Sequence, residues 1–245
     1  MATHTQLLTR CLHSHVAGNF PRVVNHPDMV WCPGGRLRMG SDRHGPDDGP
    51  LQEVEVRSFW MDETPVTNQD FSRFVRATGY LTLAERRGDP DAFWRCSDGV
   101  GSSIAGRLDH PVVYLAYEDA LAYARWAGKD LPTEAEWEFA AQGAPETLSF
   151  HLHTQPVRSG RPNALGLYDL MGNVWEWTVD MYEPRLAAEE APTEQPPRKV
   201  LKGGASLSTP NQALRYRPSA RRAQGIDVAA RDVGFRCVLR FPASA

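Results

Sequence analysis

Cysteine in any metal-binding or disulfide pattern is missing from this chain, and so is any long apolar run. Four cysteines, Cys11, Cys32, Cys96 and Cys237, are scattered over 245 residues without a Cys-x-x-Cys pair. That spacing supports neither a disulfide framework nor a zinc finger. No stretch is apolar for long enough to span a bilayer, and residues 1–27 carry histidine, arginine and proline where a signal peptide would carry an apolar core. The expectation is a cytoplasmic protein with reduced thiols and no membrane partner. Charge of one sign is lacking too: a formal net charge of −3 provides no basic field for nucleic acid.

Glycine, proline and tryptophan, by contrast, are plentiful, at 20, 19 and 7 residues. Glycine and proline interrupt regular elements, and large aromatics staple irregular backbone together. The composition therefore predicts one domain with long ordered loops and little regular secondary structure. Its 41% hydrophobic content is enough for a sizeable core.

Taken in order, residues 1–28 read as an extension with a short helix through Leu7, Leu8, Cys11, Leu12 and Val16. His13 and His15 sit two apart on it, where helical side chains diverge and joint ligation is poor. Residues 29–41 read as a strand, a Pro33-Gly34-Gly35 turn and a second strand, that is, a hairpin, and residues 53–59 as a further strand. Thr67 caps a helix to about Thr78 on a Phe71, Phe74, Val75 stripe. Residues 81–106 form an excursion around Phe93 and Trp94. A helix from Tyr117 stops at Gly128, and Thr133 with Glu136 forms a capping box for the next. Glu134, Glu136 and Glu138 do not converge at helical spacing, so capping and solvation account for them better than acid–base chemistry. His110 reads as a structural histidine.

The stretch 163–178, Asn-Ala-Leu-Gly-Leu-Tyr-Asp-Leu-Met-Gly-Asn-Val-Trp-Glu-Trp-Thr, suits neither a plain amphipathic helix nor an alternating strand. It reads as a tightly packed turn. Asp169 and Glu176, with carbonyls near Gly172 and Val174, make an oxygen-only set of the kind Ca²⁺ prefers. The plainer reading has Asp169 capping a turn and Glu176 solvated.

This stretch resembles the central motif of the formylglycine-generating enzyme family, also called the sulfatase-modifying-factor domain. So do residues 29–41, residues 59–74, the run Trp126-Ala-Gly-Lys-x-Leu-Pro-Thr-Glu-Ala-Glu-Trp-Glu138, and the closing Gly234-Phe235-Arg236. The resemblance covers residues 29–241. It implies an α+β, C-type-lectin-like single domain, with a calcium site at Asp169, Gly172, Val174 and Glu176. Residues 142–161 are shorter than the family's loop, so its further calcium site is expected to be missing. His151 and His153, if extended, point the same way and with a third ligand could hold a transition metal such as Fe(II).

In this family, two cysteines after the Gly-Gly pair bind Cu(I) and activate O₂ to oxidise a substrate cysteine. The matching positions here are Ser208 and Ala213, and Ala205 replaces a serine of the oxygen pocket. Neither Ser208 nor Ala213 offers the soft thiolate that Cu(I) requires. Cys237 matches a cysteine that some relatives pair in a disulfide, but Ala124 stands at the partner position. Copper chemistry is therefore expected to be lost, leaving a binding or accessory domain. Its cleft, lined by Trp175, Ala205, Ser208, Arg215, Tyr216, Arg217 and Arg221, would take a peptide or small-molecule ligand, with or without a partner enzyme. Those arginines could equally be ion-paired supports. The alternatives are an oxidoreductase of altered chemistry, such as a non-haem metal enzyme of natural-product or thiohistidine tailoring, and a lectin-like display scaffold.

Overall fold

The computed structural model describes residues 26–42, 48, 50–89, 93–96, 101–144, 151, 153–183, 196–205 and 217–241. The expected helix in residues 7–16 falls outside them, and so do Ser208, Ala213, Arg215 and Tyr216. No helix among the described residues is long and apolar enough to cross a membrane.

The first strands are β1 (Met29–Cys32), β2 (Gly35–Met39), β3 (Gln52–Val56) and β4 (Phe59–Asp62). The hairpin expected within 29–41 does not form. β1 pairs with β4, from Met29 opposite Asp62 to Cys32 opposite Phe59, and β2 pairs with β3, from Gly35 opposite Val56 to Met39 opposite Gln52. One long antiparallel ribbon thus turns a corner, with residues 33–34 on one side and 57–58 on the other. The corner explains the glycine: Gly34 has φ +71°, and a Cβ there would stand 2.4 Å from the Val56 carbonyl oxygen. Only a residue without a side chain lets the two bends pass each other.

Helices follow in α1 (Asn68–Thr78), α2 (Leu83–Arg87), α3 (Tyr117–Trp126) and α4 (Glu134–Ala140). Thr67 and Asp70 form a reciprocal capping box on α1, as Thr133 and Glu136 do on α4. α2 was not anticipated, although Thr82 and Glu85 spell the same box. α1 and α3 meet through aromatic rings: Phe71, Phe74 and Tyr123 pack with Trp94 and Phe235. Asp119 joins α3 to α2, accepting from Ala116 N at 2.9 Å, Leu83 N at 2.9 Å and the Tyr80 hydroxyl at 3.0 Å.

The second half of the chain supplies β5 (Trp175–Met181), β6 (Arg198–Lys202), β7 (Arg222–Gly225), β8 (Val233–Gly234) and β9 (Val238–Arg240). A four-stranded sheet runs β7-β6-β5-β8, and a three-stranded one runs β1-β4-β9. The closing segment holds two strands. β8 pairs parallel with β5, then the chain steps across to pair β9 antiparallel with β4. Phe235, Arg236 and Cys237 occupy that step, all fully buried. One core cluster centres on Phe71, Trp94, Tyr123, Trp175, Trp177 and Phe235, the other on Cys32, Phe59, Met61, Trp137, Leu167 and Met171. Full burial of each such side chain contributes about 1.5–3 kcal/mol.

Candidate functional site

The central stretch is part turn and part strand: Trp175 begins β5, and the irregular piece ends at Val174. Asn163 shapes its entry. Its Oδ1 accepts from the Leu165 and Leu167 amides at 3.1 and 3.0 Å, and its Nδ2 donates to the Ala140 carbonyl at 2.7 Å. Leu167, Leu170 and Met171 then fill the second core cluster. Asp169 and Asn173 adopt left-handed backbone, φ +56° and +60°, which aspartate and asparagine tolerate better than most residues. Asn173 is fastened by a two-way bond with the Gln155 backbone, at 3.0 and 3.1 Å. Gly172 N donates to Gly203 O at 2.9 Å, which ties the turn to the end of β6.

Glu176 is neither a cap nor solvated. It is fully buried, and Arg236 grips it in a fork, Nε to Oε2 and Nη2 to Oε1, both at 2.8 Å. Trp137 Nε1 adds a third bond to Oε2 at 2.7 Å. The remaining Arg236 donors reach the carbonyls of Tyr168, Asp62 and Glu63. Asp169 differs: one oxygen accepts from Arg158 N at 2.8 Å, and the other has no hydrogen-bond partner among the described residues. Burial pushes its pKa above the usual carboxylate range, and the Glu176 charge pushes the same way. The four oxygen positions match a hard cation in kind, and Asp169 keeps an oxygen in reserve for one. Glu176 matches less well, because Arg236 already neutralises it. Among the described residues no group of three or more His, Cys, Asp or Glu side chains could hold a metal, so any such site depends on carbonyls.

β6 leads into Gly203 and Gly204, with φ +103° and +75°, and then buried Ala205. A Cβ on Gly203 would lie 3.0 Å from the Leu170 carbonyl and 3.1 Å from the Trp137 ring. Beyond 206–216, Arg217 Nε bonds Asp48 at 2.7 Å, and Arg221 pairs with Glu134 at 2.6 Å while its guanidinium lies over the Tyr182 ring. Trp175 is buried, with Arg222 stacked over its ring at 5.5 Å and bonded to Asp232 at 2.5 Å. Arg217 and Arg221 are thus ion-paired supports in this structure.

The three glutamates of α4 are not solvated. Glu134 and Glu138 flank the fully buried Lys202 ammonium at 3.5 and 2.8 Å, and Glu136 pairs with Arg240 at 2.6 Å. Side chains with helical spacing face different partners on β6 and β9, which the helix pattern alone did not reveal. Arg236 and Lys202, the two fully buried cations among the described residues, were also missed. The one available signal was their place beside glycine in the motifs Gly234-Phe235-Arg236 and Lys202-Gly203-Gly204.

The described cysteines are free thiols. Burial pushes Cys32 up to about 12 and Cys237 well above its ordinary value. Cys237 and Ala124 lie in the same core cluster. His151 and His153 are exposed. His110 Nδ1 lies 3.0 Å from Thr154 Oγ1, which is a structural contact.

Three small sheets, short capped helices and a buried fork of arginine and glutamate define an α+β scaffold. The profile of the sulfatase-modifying factor enzyme 1-like domain matches residues 14–152 and 144–241. The chain is 35% identical to the formylglycine-generating enzyme of Mycobacterium tuberculosis, across 86% of this chain and 97% of that protein. It is 36% identical to the mouse protein named inactive C-alpha-formylglycine-generating enzyme 2, across 86% of this chain and 85% of that one. PvdO from Pseudomonas aeruginosa shares the fold, with a TM-score of 0.69 at 24% identity over 87% of this chain and 94% of that one. The chain belongs to the formylglycine-generating enzyme (sulfatase-modifying factor) family.

Proposed function

We propose that this chain keeps the family scaffold without the Cu(I)/O₂ oxidation of cysteine to formylglycine, and acts as a peptide- or small-ligand-binding accessory domain. The observation that carries this reading is Ser208 and Ala213 at the positions where the family places its copper-binding cysteines. Cys32 and Cys237 are no substitutes, being buried thiols whose ionisation is strongly disfavoured. The likeness to a mouse relative whose name calls it inactive supports this reading. An altered metal chemistry would need a third ligand for His151 and His153, and nothing among the described residues favours one.

The same proposal includes one Ca²⁺ on the central turn. Asp169 would supply the carboxylate oxygen that Arg158 does not use, Gly172 and Val174 their carbonyls, and Glu176 its Oε1, the oxygen that Trp137 does not use. The ion would fix the turn rather than take part in chemistry.

The decisive experiment incubates purified protein with Cu(I), O₂, a reductant and a cysteine-containing sulfatase peptide, and follows the peptide by mass spectrometry. The expected result is no formylglycine and no stoichiometric copper. Wild-type protein that converts the peptide would overturn the proposal. The double variant Ser208→Cys/Ala213→Cys is expected to gain Cu(I) binding, because two soft ligands are returned to the loop.

A further inference from the structure

A polar cleft of about 340 Å³ opens between the end of β4, the start of α1 and the segment after α3. It adjoins the candidate site above through Arg158, whose backbone amide holds Asp169, and Asp62, whose carbonyl accepts from Arg236. Its floor is the Lys129–Asp62 pair, 2.5 Å apart, with Asp62 also accepting from Cys237 N at 3.0 Å. Burial works against charge on both, yet the Asp62 carboxylate outweighs that for Lys129, and the pair is neutral as a unit. One wall is the α1 cap, where Asp70 is fully used by Thr67 and Arg73.

Two groups in this cleft are not used. Tyr123 is only 9% exposed, and its ring is fixed against Phe71, Phe74 and Phe235. Its hydroxyl faces Asp70, Asp62 and Arg73, which also line the cleft, and makes no hydrogen bond among the described residues. Lys129 has two further N–H donors beside its bond to Asp62. At the mouth, exposed Asp109 carries a carboxylate without a described partner. Donors at the floor, an anion at the mouth and a neutral pair beneath complement a ligand that has an acceptor at one end, a cation at the other and no net charge.

We infer that the cleft binds a small zwitterion of the α-amino-acid class, its carboxylate on Tyr123 Oη and Lys129 Nζ and its ammonium toward Asp109. A ligand of this kind brings no uncompensated charge onto the neutral floor, and its size suits the volume.

The test is calorimetric titration of the full chain with glycine, L-serine, L-glutamate and L-arginine, and with N-acetylglycine and glycinamide, which each lack one pole. At least one free amino acid is expected to bind saturably, and both capped probes to bind weakly. Tyr123→Phe should reduce affinity by about tenfold, the usual scale of a hydrogen bond to a charged group. Because that hydroxyl has no partner in the empty protein, the variant should melt no lower than wild type, so weaker binding will not be a folding defect. Asp109→Asn, on an exposed position, should weaken the amine-bearing probes alone. Absence of saturable binding by every amino acid, binding unchanged in Tyr123→Phe, or binding of N-acetylglycine as tight as glycine would each overturn the assignment.

Discussion

Arg236 meets Glu176 through two parallel hydrogen bonds of 2.8 Å at a point where neither side chain touches solvent. Arg236 stands on the step between β8 and β9, and Glu176 on β5, so this fork joins the four-stranded sheet to the three-stranded one. Three carbonyls and an indole complete its shell, which leaves no charge uncompensated. Such a pair adds little over a well-packed apolar substitute, but removing one member strands the other.

Glu176→Gln is accordingly expected to cost about 3–5 kcal/mol, as the buried guanidinium loses its counter-charge. Urea unfolding would read this directly. A loss under about 1 kcal/mol, the scale of an exposed pair, would mean that water reaches the fork.

Gly34→Ala should be among the most damaging small substitutions in the chain, since the added Cβ meets the Val56 carbonyl at 2.4 Å as well as a positive φ. Gly79→Ala is the control: its φ is +68° but nothing lies within 4 Å, so it should cost only the left-handed backbone penalty of about 1–2 kcal/mol. Equal melting temperatures for the two variants would refute the account of the corner.

Calcium is expected to raise the melting temperature and a chelator to lower it, with about 2.7 kcal/mol of added stability at a hundredfold excess over Kd. Asp169→Asn keeps an oxygen and tolerates the left-handed backbone but loses the charge, so the shift should shrink rather than vanish. No response of the wild-type protein to calcium would end the proposal for this turn.

Thiol chemistry follows from burial. With Cys32 pushed up to about 12, roughly one molecule in ten thousand carries its thiolate at pH 8, so iodoacetamide should spare it and Cys237 in the native state while Cys96 reacts. The sign of the pH effect on stability is set by the same shift. The folded thiol holds its proton from its ordinary value of 9.0 up to about 12 while the unfolded one releases it, so this contribution falls as pH rises through that window. Mass mapping of labelled peptides checks the first expectation, and unfolding of Cys32→Ala against wild type across alkaline pH the second.

Local signals carried far. The caps at Thr67 and Thr133 and the stop at Gly128 lie within a few residues of what they control, and they could be read without any tertiary knowledge. Pairings across the fold could not. The ribbon of β1 and β2 takes its partners from 52–62, because its corner is decided by contact between Gly34 and Val56, distant in sequence. The burial of Glu134, Glu138 and Lys202 was hidden for the same reason: charged residues look solvated until their counter-ions, on other elements, are known. In the candidate site, the elements of the central turn were legible, while the Arg236 fork that occupies Glu176 was not.

The buried ion pairs beside residues 206–216 bear on how this family can change. Lys202 before that segment and Arg217 and Arg221 after it are anchored to Glu134, Glu138 and Asp48, none of which the segment itself provides. A substitution between residues 206 and 216 therefore removes none of these charged partners, and the ion pairs that flank the segment are complete without a side chain from within it.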